Sequence, residues 1–267
     1  MIGPVIVAMD VGNTKISLGV MEGGDVRSAH RATTRSLKSV GDAERVLGEL
    51  LAEEGATLRD VSEAWLVSVV PAATDVITQV CQRHSIALTV ASAANVPMAT
   101  RVNSPAEVGA DRLIGAFAAW LLYGAPVIVV DLGTATTLDV VAPDGAFLGG
   151  AIAPGLGLGL EALAERTAQL PRVAIEVPER AIGQDTVSAI QSGAVLGYFG
   201  LVKELVRRIT NELGTKPTLV LTGGLSALPW AGGVPGVAAI DPLLTLRGLA
   251  LLKREMMALP KQPGVPA

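Results

Sequence analysis

The sequence predicts an α/β fold made of two related domains, and three observations carry that expectation. Short apolar, β-branched runs alternate with longer segments of helical periodicity. Half of the residues are hydrophobic while aromatics make up only 3%, so the core must be packed with Val, Ile, Leu and Ala, as buried α/β layers are. Residues 6–20, IVAMDVGNTKISLGV, are echoed by residues 127–141, VIVVDLGTATTLDVV. At an offset of 131 − 10 = 121, Asp10 matches Asp131, Gly12 matches Gly133, Val20 matches Val141 and Gly24 matches Gly145. Each copy reads strand, polar Gly turn, strand, Gly turn, and two homologous domains account for this most simply.

The elements follow in order. Residues 4–9 form a strand, an apolar run that Asp10 cuts short, and 16–21 form a second strand after the turn. Apolar residues at helical spacing place a helix at 41–54, followed by a strand at 64–69, a helix at 72–83 and a strand at 87–90. The uncharged stretch Leu113 to Val130 is long enough to raise a membrane span. Tyr123-Gly124-Ala125-Pro126 divides it by turn chemistry into a small-residue helix, 107–122, and a β-branched strand, 127–130. Strands at 136–141 and 147–151 lead to a helix at 158–167 and a long helix at 184–212, and a strand at 218–222 and a helix at 243–258 close the order. The expected domains are 1–117 and 118–258, and the Pro-rich end, 259–267, is expected to be disordered.

Composition removes several classes of function. A net charge of −4 leaves no electrostatic footprint for nucleic acid, and the loose basic group Arg27, His30, Arg31, Arg35 reads as a solvated face. A single cysteine, Cys81, cannot form an intrachain disulfide, and with two scattered histidines, His30 and His84, it cannot make an ordinary zinc site. Cys81 reads as a buried inert thiol and both histidines as solvated surface. The N-terminal MIGPVIVAMD has no basic lead, so it does not read as a secretory signal. The expected setting is the cytoplasm, without membrane partners, and a catalytic base, if there is one, is expected to be a carboxylate.

The repeated turn has definite chemical capacities. In Asp-x-Gly-Asn-Thr the glycine lets backbone approach a ligand, and successive amides with Thr hydroxyls can form an anion-binding nest. An Asp at the strand end can hold hydrated Mg2+ or a monovalent cation against those phosphates. Two such turns facing across a cleft would grip a nucleoside triphosphate; one alone reads better as an ordinary hydroxyl-rich hairpin, and the two copies with the Gly motifs that follow favour phosphate binding. Gly109-Ala110-Asp111-Arg112, at the start of a long apolar helix, is open to two readings: a helix-start ion pair or a catalytic carboxylate. Gly155-Leu156-Gly157-Leu158-Gly159 has the wrong spacing for a dinucleotide fingerprint and reads as a Gly-rich approach to substrate or to the partner domain.

An ordered set of motifs resembles the type III pantothenate kinases. It comprises Asp10-Val11-Gly12-Asn13-Thr14, Pro105-Ala106-Glu107-Val108-Gly109-Ala110-Asp111-Arg112, Asp131-Leu132-Gly133-Thr134-Ala135-Thr136-Thr137 and Gly149-Gly150-Ala151-Ile152-Ala153-Pro154-Gly155. Asp185-Thr186 with Gln191-Ser192-Gly193, then Thr222-Gly223-Gly224 and Leu244-Thr245-Leu246-Arg247-Gly248-Leu249, continue the set almost to the end of the chain. The resemblance implies two actin-like (ribonuclease H-like, sugar-kinase-like) domains with an interdomain active-site cleft. It also implies ATP-dependent phosphorylation of the 4′-hydroxyl of pantothenate, with Mg2+, a monovalent cation (K+ or NH4+) and a homodimer.

Carried over by position, the turn Asp10, Val11, Gly12, Asn13, Thr14, Lys15, Ile16, Ser17 binds ATP phosphates, with Asp10 near the divalent ion. Lys15 stands where the family varies and is assigned only proximity to phosphate. Thr134 contacts nucleotide, and Asp131 holds the monovalent cation. Gly109, Ala110, Asp111 and Arg112 bind pantothenate, with Asp111 as proton acceptor, and Thr186 reaches pantothenate from the partner subunit. One departure stands out: Val102 occupies a position where many members carry a Tyr of the pantothenate pocket. Two other readings stay open at this point, a kinase of the same fold for another small hydroxylated metabolite and a non-enzymatic transcription accessory protein.

Overall fold

In a computed structural model describing residues 4–228 and 233–258, the chain divides into two compact units. The first comprises residues 1–98, 103–118 and 243–267, and the second comprises residues 99–102 and 119–242. The expected tail at 259–267 lies outside the described residues.

The first unit is organised around β1 (Val5–Val11), which is apolar on both faces. Val5, Val7, Met9 and Val11 join one core with the buried faces of α1 (Val40–Ala52) and α2 (Pro71–Arg83), while Ala8 is fully buried on the alternate face. β1 pairs antiparallel with β2 (Lys15–Glu22) and parallel with β5 (Val61–Ser68), which pairs in parallel with β6 (Ala87–Val90). Two short strands missed by the periodicity, β3 (Asp25–Val26) and β4 (His30–Thr33), both pair with β2.

The second unit repeats this plan. β7 (Val127–Leu132) is flanked by antiparallel β8 (Ala135–Val141) and parallel β10 (Thr218–Thr222). β9 (Phe147–Pro154) continues one side and β11 (Val237–Ile240), another strand not expected from sequence, continues the other. The order β11-β10-β7-β8-β9 thus matches β6-β5-β1-β2-β3. The echo in the sequence is a repeat of topology, with one adjustment. Val11 pairs with Ile16 across the first turn but Leu132 pairs with Thr136 across the second, so the second hairpin is one residue shorter. By ladder position the counterpart of Val20 is therefore Val140 and not Val141. The residue is regained in the next turn, where Met21 pairs with Val26 across four residues but Val141 pairs with Phe147 across five, and Gly24 and Gly145 correspond again, both at φ 84°.

Helices cover these sheets: α3 (Ala110–Tyr123), α4 (Leu156–Arg166), α5 (Thr186–Gln191), α6 (Gly197–Leu213) and α7 (Leu244–Ala258). The long helix expected at 184–212 is α5 and α6 joined by a π-helical turn, Ser192–Leu196. The helix expected from residue 107 starts at Ala110, after a 3-10 turn at Pro105–Glu107. No helix among the described residues is long and apolar enough to cross a membrane.

Neither histidine is simply solvated. His30 Nε2 lies 2.7 Å from Glu54 and His84 Nε2 lies 3.3 Å from Glu44, with about a quarter of each imidazole exposed (29% and 27%). Cys81 is buried as expected, and burial pushes its thiol up to about 11.

α7, placed by a purely sequential division in the second domain, belongs to the first unit. It is tied there by Arg247, which donates to Asp25 at 2.9 Å, and by Lys253, which pairs with Glu63. Trp65 Nε1 donates to the other Glu63 oxygen at 2.7 Å. Gly248 lets α7 cross α3 at backbone distance: a Cβ there would stand 2.6 Å from Ile114 Cγ2 and 2.8 Å from its carbonyl oxygen. Gly248→Ala is expected to overpack this crossing by about 2 kcal/mol, lowering Tm by roughly 4–8 °C in a thermal melt.

Candidate functional site

The first hairpin turn is fixed from outside. Asp10, the penultimate residue of β1, pairs with Ser17, and Gly12 N–H donates to the Lys15 carbonyl at 2.9 Å to close the loop. The buried Thr34, just past β4, holds the turn twice: its hydroxyl donates to the Gly12 carbonyl at 2.7 Å and its N–H to the Thr14 carbonyl at 3.0 Å. With those carbonyls committed, Asn13, Thr14 and Lys15 remain exposed at the tip. A Cβ on Gly12 would meet only the Lys15 carbonyl, at an ordinary 3.5 Å, so nothing inside the chain demands glycine there. The open space it leaves suits a ligand approaching the backbone.

The second turn is more crowded. Asp131, the penultimate residue of β7, has glycines packed around its carboxylate. A Cβ on Gly133 would stand 3.2 Å from Asp131 Oδ1, and one on Gly223 would collide with the same oxygen and with the backbone of Leu132. Gly223 also sits at φ 87°, which side chains other than glycine's adopt only with strain. A Cβ on Gly155 would strike the carbonyl oxygens of Gly133 and Thr134. Two backbone bonds complete the frame: Gly155 N–H donates to the Thr134 carbonyl at 3.0 Å and Leu225 N–H to the Leu132 carbonyl at 3.1 Å. Gly155 therefore serves this turn, while Gly157 and Gly159, at the start of α4, face open space.

Asp111 lies in the first turn of α3, a position that favours an anion. Its Oδ1 accepts the Arg112 N–H at 2.8 Å, and a Cβ on Gly109 would stand 2.6 Å from that oxygen. Among the described residues Oδ2 has no hydrogen-bond partner. One oxygen is thus engaged at the helix start by a backbone N–H and not by an ion pair with the Arg112 side chain. Gly109 and Ala110 immediately precede Asp111, and Arg112 follows within the same turn.

Thr186 opens α5, exposed, beside its N-cap Asp185. The Ser188 N–H donates to Asp185 at 2.8 Å, and this bond holds the Asp185 carboxyl below the usual range. Gln191 and Ser192 act on the irregular segment before α5. Gln191 Nε2 donates to the Ala174 carbonyl at 3.2 Å, and the Ser192 hydroxyl donates to the Ala181 carbonyl at 2.6 Å. Val102 lies against β9, with its Cγ1 3.4 Å from where a Cβ on Gly149 would stand.

The structure thus gathers Asp131 and Thr134 into one cluster with Gly155 and Gly223, builds Asp10 to Ser17 into a separate turn, and sets Asp111 and Thr186 at two helix starts. Among the described residues no three His, Cys, Asp or Glu side chains come together as metal ligands. An ion at Asp10 or Asp131 would have a carboxylate, with water, backbone or phosphate oxygens making up the rest, the donor set of Mg2+ or K+. Sequence reasoning missed Thr34, which lies in a run read as a solvated basic face. Its signal was weak: one hydroxyl among TTRS, meaningful only once β4 pairs with β2.

The chain matches the type III pantothenate kinase family over residues 6–208. It is 43% identical over 247 residues to the type III pantothenate kinase of Thermomicrobium roseum, covering 92% of this chain and 95% of that one. It is also 43% identical over 253 residues to that of Paramagnetospirillum magneticum, covering 94% and 97%. In three dimensions it resembles the ethanolamine utilization protein EutJ of Carboxydothermus hydrogenoformans, with a TM-score of 0.55, 17% identity and coverage of 94% and 91%. The archaeal actin homolog Ta0583 aligns with a TM-score of 0.53, 13% identity and coverage of 94% and 99%. These two structures establish the actin-like fold alone. The repeated strand-end Asp-x-Gly turns, the glycine frame around Asp131 and the identity along nearly the whole chain lead to one conclusion: this chain belongs to the type III pantothenate kinase family.

Proposed function

We infer that the chain is a kinase that transfers the γ-phosphoryl group of ATP to the 4′-hydroxyl of pantothenate, giving 4′-phosphopantothenate for coenzyme A synthesis. Family membership carries this reading, and the two Asp-x-Gly hairpins supply chemistry that suits it. The turn Asp10 to Ser17 takes ATP phosphates on its exposed tip. Thr134 contacts the nucleotide from the second unit. Asp10 would hold Mg2+ and Asp131 K+ or NH4+, and when bound these ions neutralise phosphate charge. The donor sets fit both, and the crowding of glycines around Asp131 keeps its carboxylate in one place.

Gly109, Ala110, Asp111 and Arg112 bind pantothenate. The substrate hydroxyl oxygen attacks the γ-phosphorus, and the bond to the β,γ-bridging oxygen breaks, leaving its electron pair on ADP. Asp111 Oδ2 accepts the hydroxyl proton as the new O–P bond forms. The transition state is loose, so alignment of the acceptor and neutralisation of charge matter more than a strong base. Val102 presents no phenol to the pantothenate pocket, and contacts from elsewhere must compensate.

The active form is proposed to be a homodimer in which Thr186 reaches the neighbour's pantothenate. Aliphatic side chains stand in water around that residue: Ile182 is 83% exposed, Val177 54% and Val187 45%. Such exposure on either side of a polar contact residue suits burial against a second copy.

Asp111→Asn keeps the side chain's size and one acceptor oxygen but cannot take a proton. Steady-state kinetics should show kcat reduced at least about 10²-fold with a modest change in KM for pantothenate. A near-normal kcat with weak pantothenate binding would make Asp111 a positioning group. Replacing K+ with choline should lower the rate, and Asp131→Asn should blunt that dependence; equal rates in both salts would remove the cation from Asp131. Ile182→Asp should shift sedimentation towards monomer and cut activity, whereas a fully active wild-type monomer would end the shared-site reading.

A further inference from the structure

The second unit contains a polar pair that the reaction described above does not use. Tyr198, on α6, is only 7% exposed and lies within an aliphatic core of Ile128, Val130, Leu132, Leu138 and Val202, among others. A phenol hydroxyl in such surroundings needs a partner. It shares a hydrogen bond of 2.6 Å with the hydroxyl of Thr136, which has no exposed surface at all. Thr136 sits at the start of β8, faces Leu132 across the hairpin, and follows directly on Gly133-Thr134-Ala135. Bonds that hold the Asp131 turn therefore include those of the Leu132 carbonyl to Leu225, the Thr134 carbonyl to Gly155 and the Thr136 hydroxyl to Tyr198. The first two are backbone bonds; the third depends on one side-chain oxygen.

The helix that delivers Tyr198 is altered in order to do so. Counting from the buried Ile190, α-helical spacing would put the inward stripe at 194, 197 and 201. The buried residues are instead Val195, Tyr198 and Val202, one position later. The displacement is made by the π-helical turn Ser192–Leu196, whose i→i+5 bonds add one residue. π-turns are rare and gather at functional sites, and without this one Gly197 would take the place of Tyr198 on the stripe. The reach of the pair extends to Asp131: burial raises the phenol's pKa most, the Thr136 bond lowers it, and the Asp131 charge raises it further.

We propose that Tyr198 is a positioning residue for the nucleotide-phosphate and cation turn, locking Thr136, and through it residues 131–136, in the binding geometry from the core side. The inference rests on the phosphate-binding reading of that turn. It assigns the π-turn a purpose, which is to bring a hydroxyl to the back of a turn whose front meets the ligand.

The test uses the full-length protein with Tyr198→Phe, Thr136→Val and the double variant. A non-hydrolysable ATP analogue with Mg2+ is measured by calorimetry, and thermal shift is recorded in KCl and in choline chloride. Tyr198→Phe keeps the ring and removes one oxygen, so the analogue's Kd should rise about ten-fold. The K+-dependent part of the thermal shift should shrink, and KM for pantothenate should stay at its wild-type value. Thr136→Val should do the same, and the double variant should be no worse than the poorer single, because the two hydroxyls act as one unit.

If Tyr198→Phe lowers the Tm of the unliganded protein but leaves the analogue's Kd and the K+ shift unchanged, the tyrosine only fills the core and the proposal is wrong. Additive losses in the double variant would equally overturn it. Should Tyr198→Phe fail to fold, Thr136→Val decides by the same readouts from the other end of the bond. A wild-type protein that neither the analogue nor K+ stabilises would instead sink the phosphate reading, and this inference with it.

Discussion

A carboxylate at the end of a central strand keeps its position only where neighbouring backbone comes close without side chains. Around Asp131 that condition is met by Gly133, in the hairpin, and Gly223, in the loop after β10, while Gly155, at the start of α4, packs on the carbonyls of the same turn. Each glycine costs conformational entropy on folding, roughly 0.5–1 kcal/mol relative to alanine in a regular element. Two of them converging on one side chain, with a third against the turn that carries it, are worth keeping only if the carboxylate must not move. The parallel pairing of β7 with β10, with Asp131 opposite Thr222, brings the Gly223 loop to the spot.

The two units meet the same demand by different means. Both place an Asp one residue before the end of the central strand and a glycine two residues after it. In the first unit the turn is longer by a residue and is pinned by Thr34, just past a strand, β4, that has no counterpart among the described residues of the second unit. In the second unit the turn is shorter and is pinned through α4, the Gly223 loop and Tyr198. The repeat is thus preserved in topology while each unit anchors its turn by its own contacts.

Much of this was legible in the sequence, and what was not has a common cause. Strand ends, helix periods and the paired Asp-x-Gly turns are local signals, fixed by alternation, turn chemistry and a short motif copied once. Val237–Ile240 was missed because it is a four-residue strand whose residues alternate between exposed and half-buried, and it is recognisable by its pairing with β10. α7 was misplaced for a similar reason: Arg247–Asp25 and Lys253–Glu63 are separated by 222 and 190 positions, and no periodicity reports such pairs. Asp111 was singled out by its motif, and whether it caps a helix or meets a proton could not be read from spacing. The π-turn was invisible because α and π helices share the same residue preferences, and only the one-position shift of the buried stripe reveals it.

The proposed role of Asp111 as proton acceptor also bears on how the reaction would be driven. A carboxylate free at both oxygens would rotate, and a substrate hydroxyl would meet it in many orientations. Here the Arg112 N–H fixes Oδ1, and the missing Gly109 side chain lets the carboxylate lie close to the backbone, so that Oδ2 is presented in one direction. Fixing an acceptor in this way turns a bimolecular encounter into an aligned one, an effect that can contribute several kcal/mol to a barrier. A loose phosphoryl transition state makes little demand on basicity and a large one on alignment and charge. Each unit positions its carboxylate largely through backbone: the turn at Asp131 by glycines and backbone bonds, and the carboxylate of Asp111 by a helix start, and backbone moves less than side chains do.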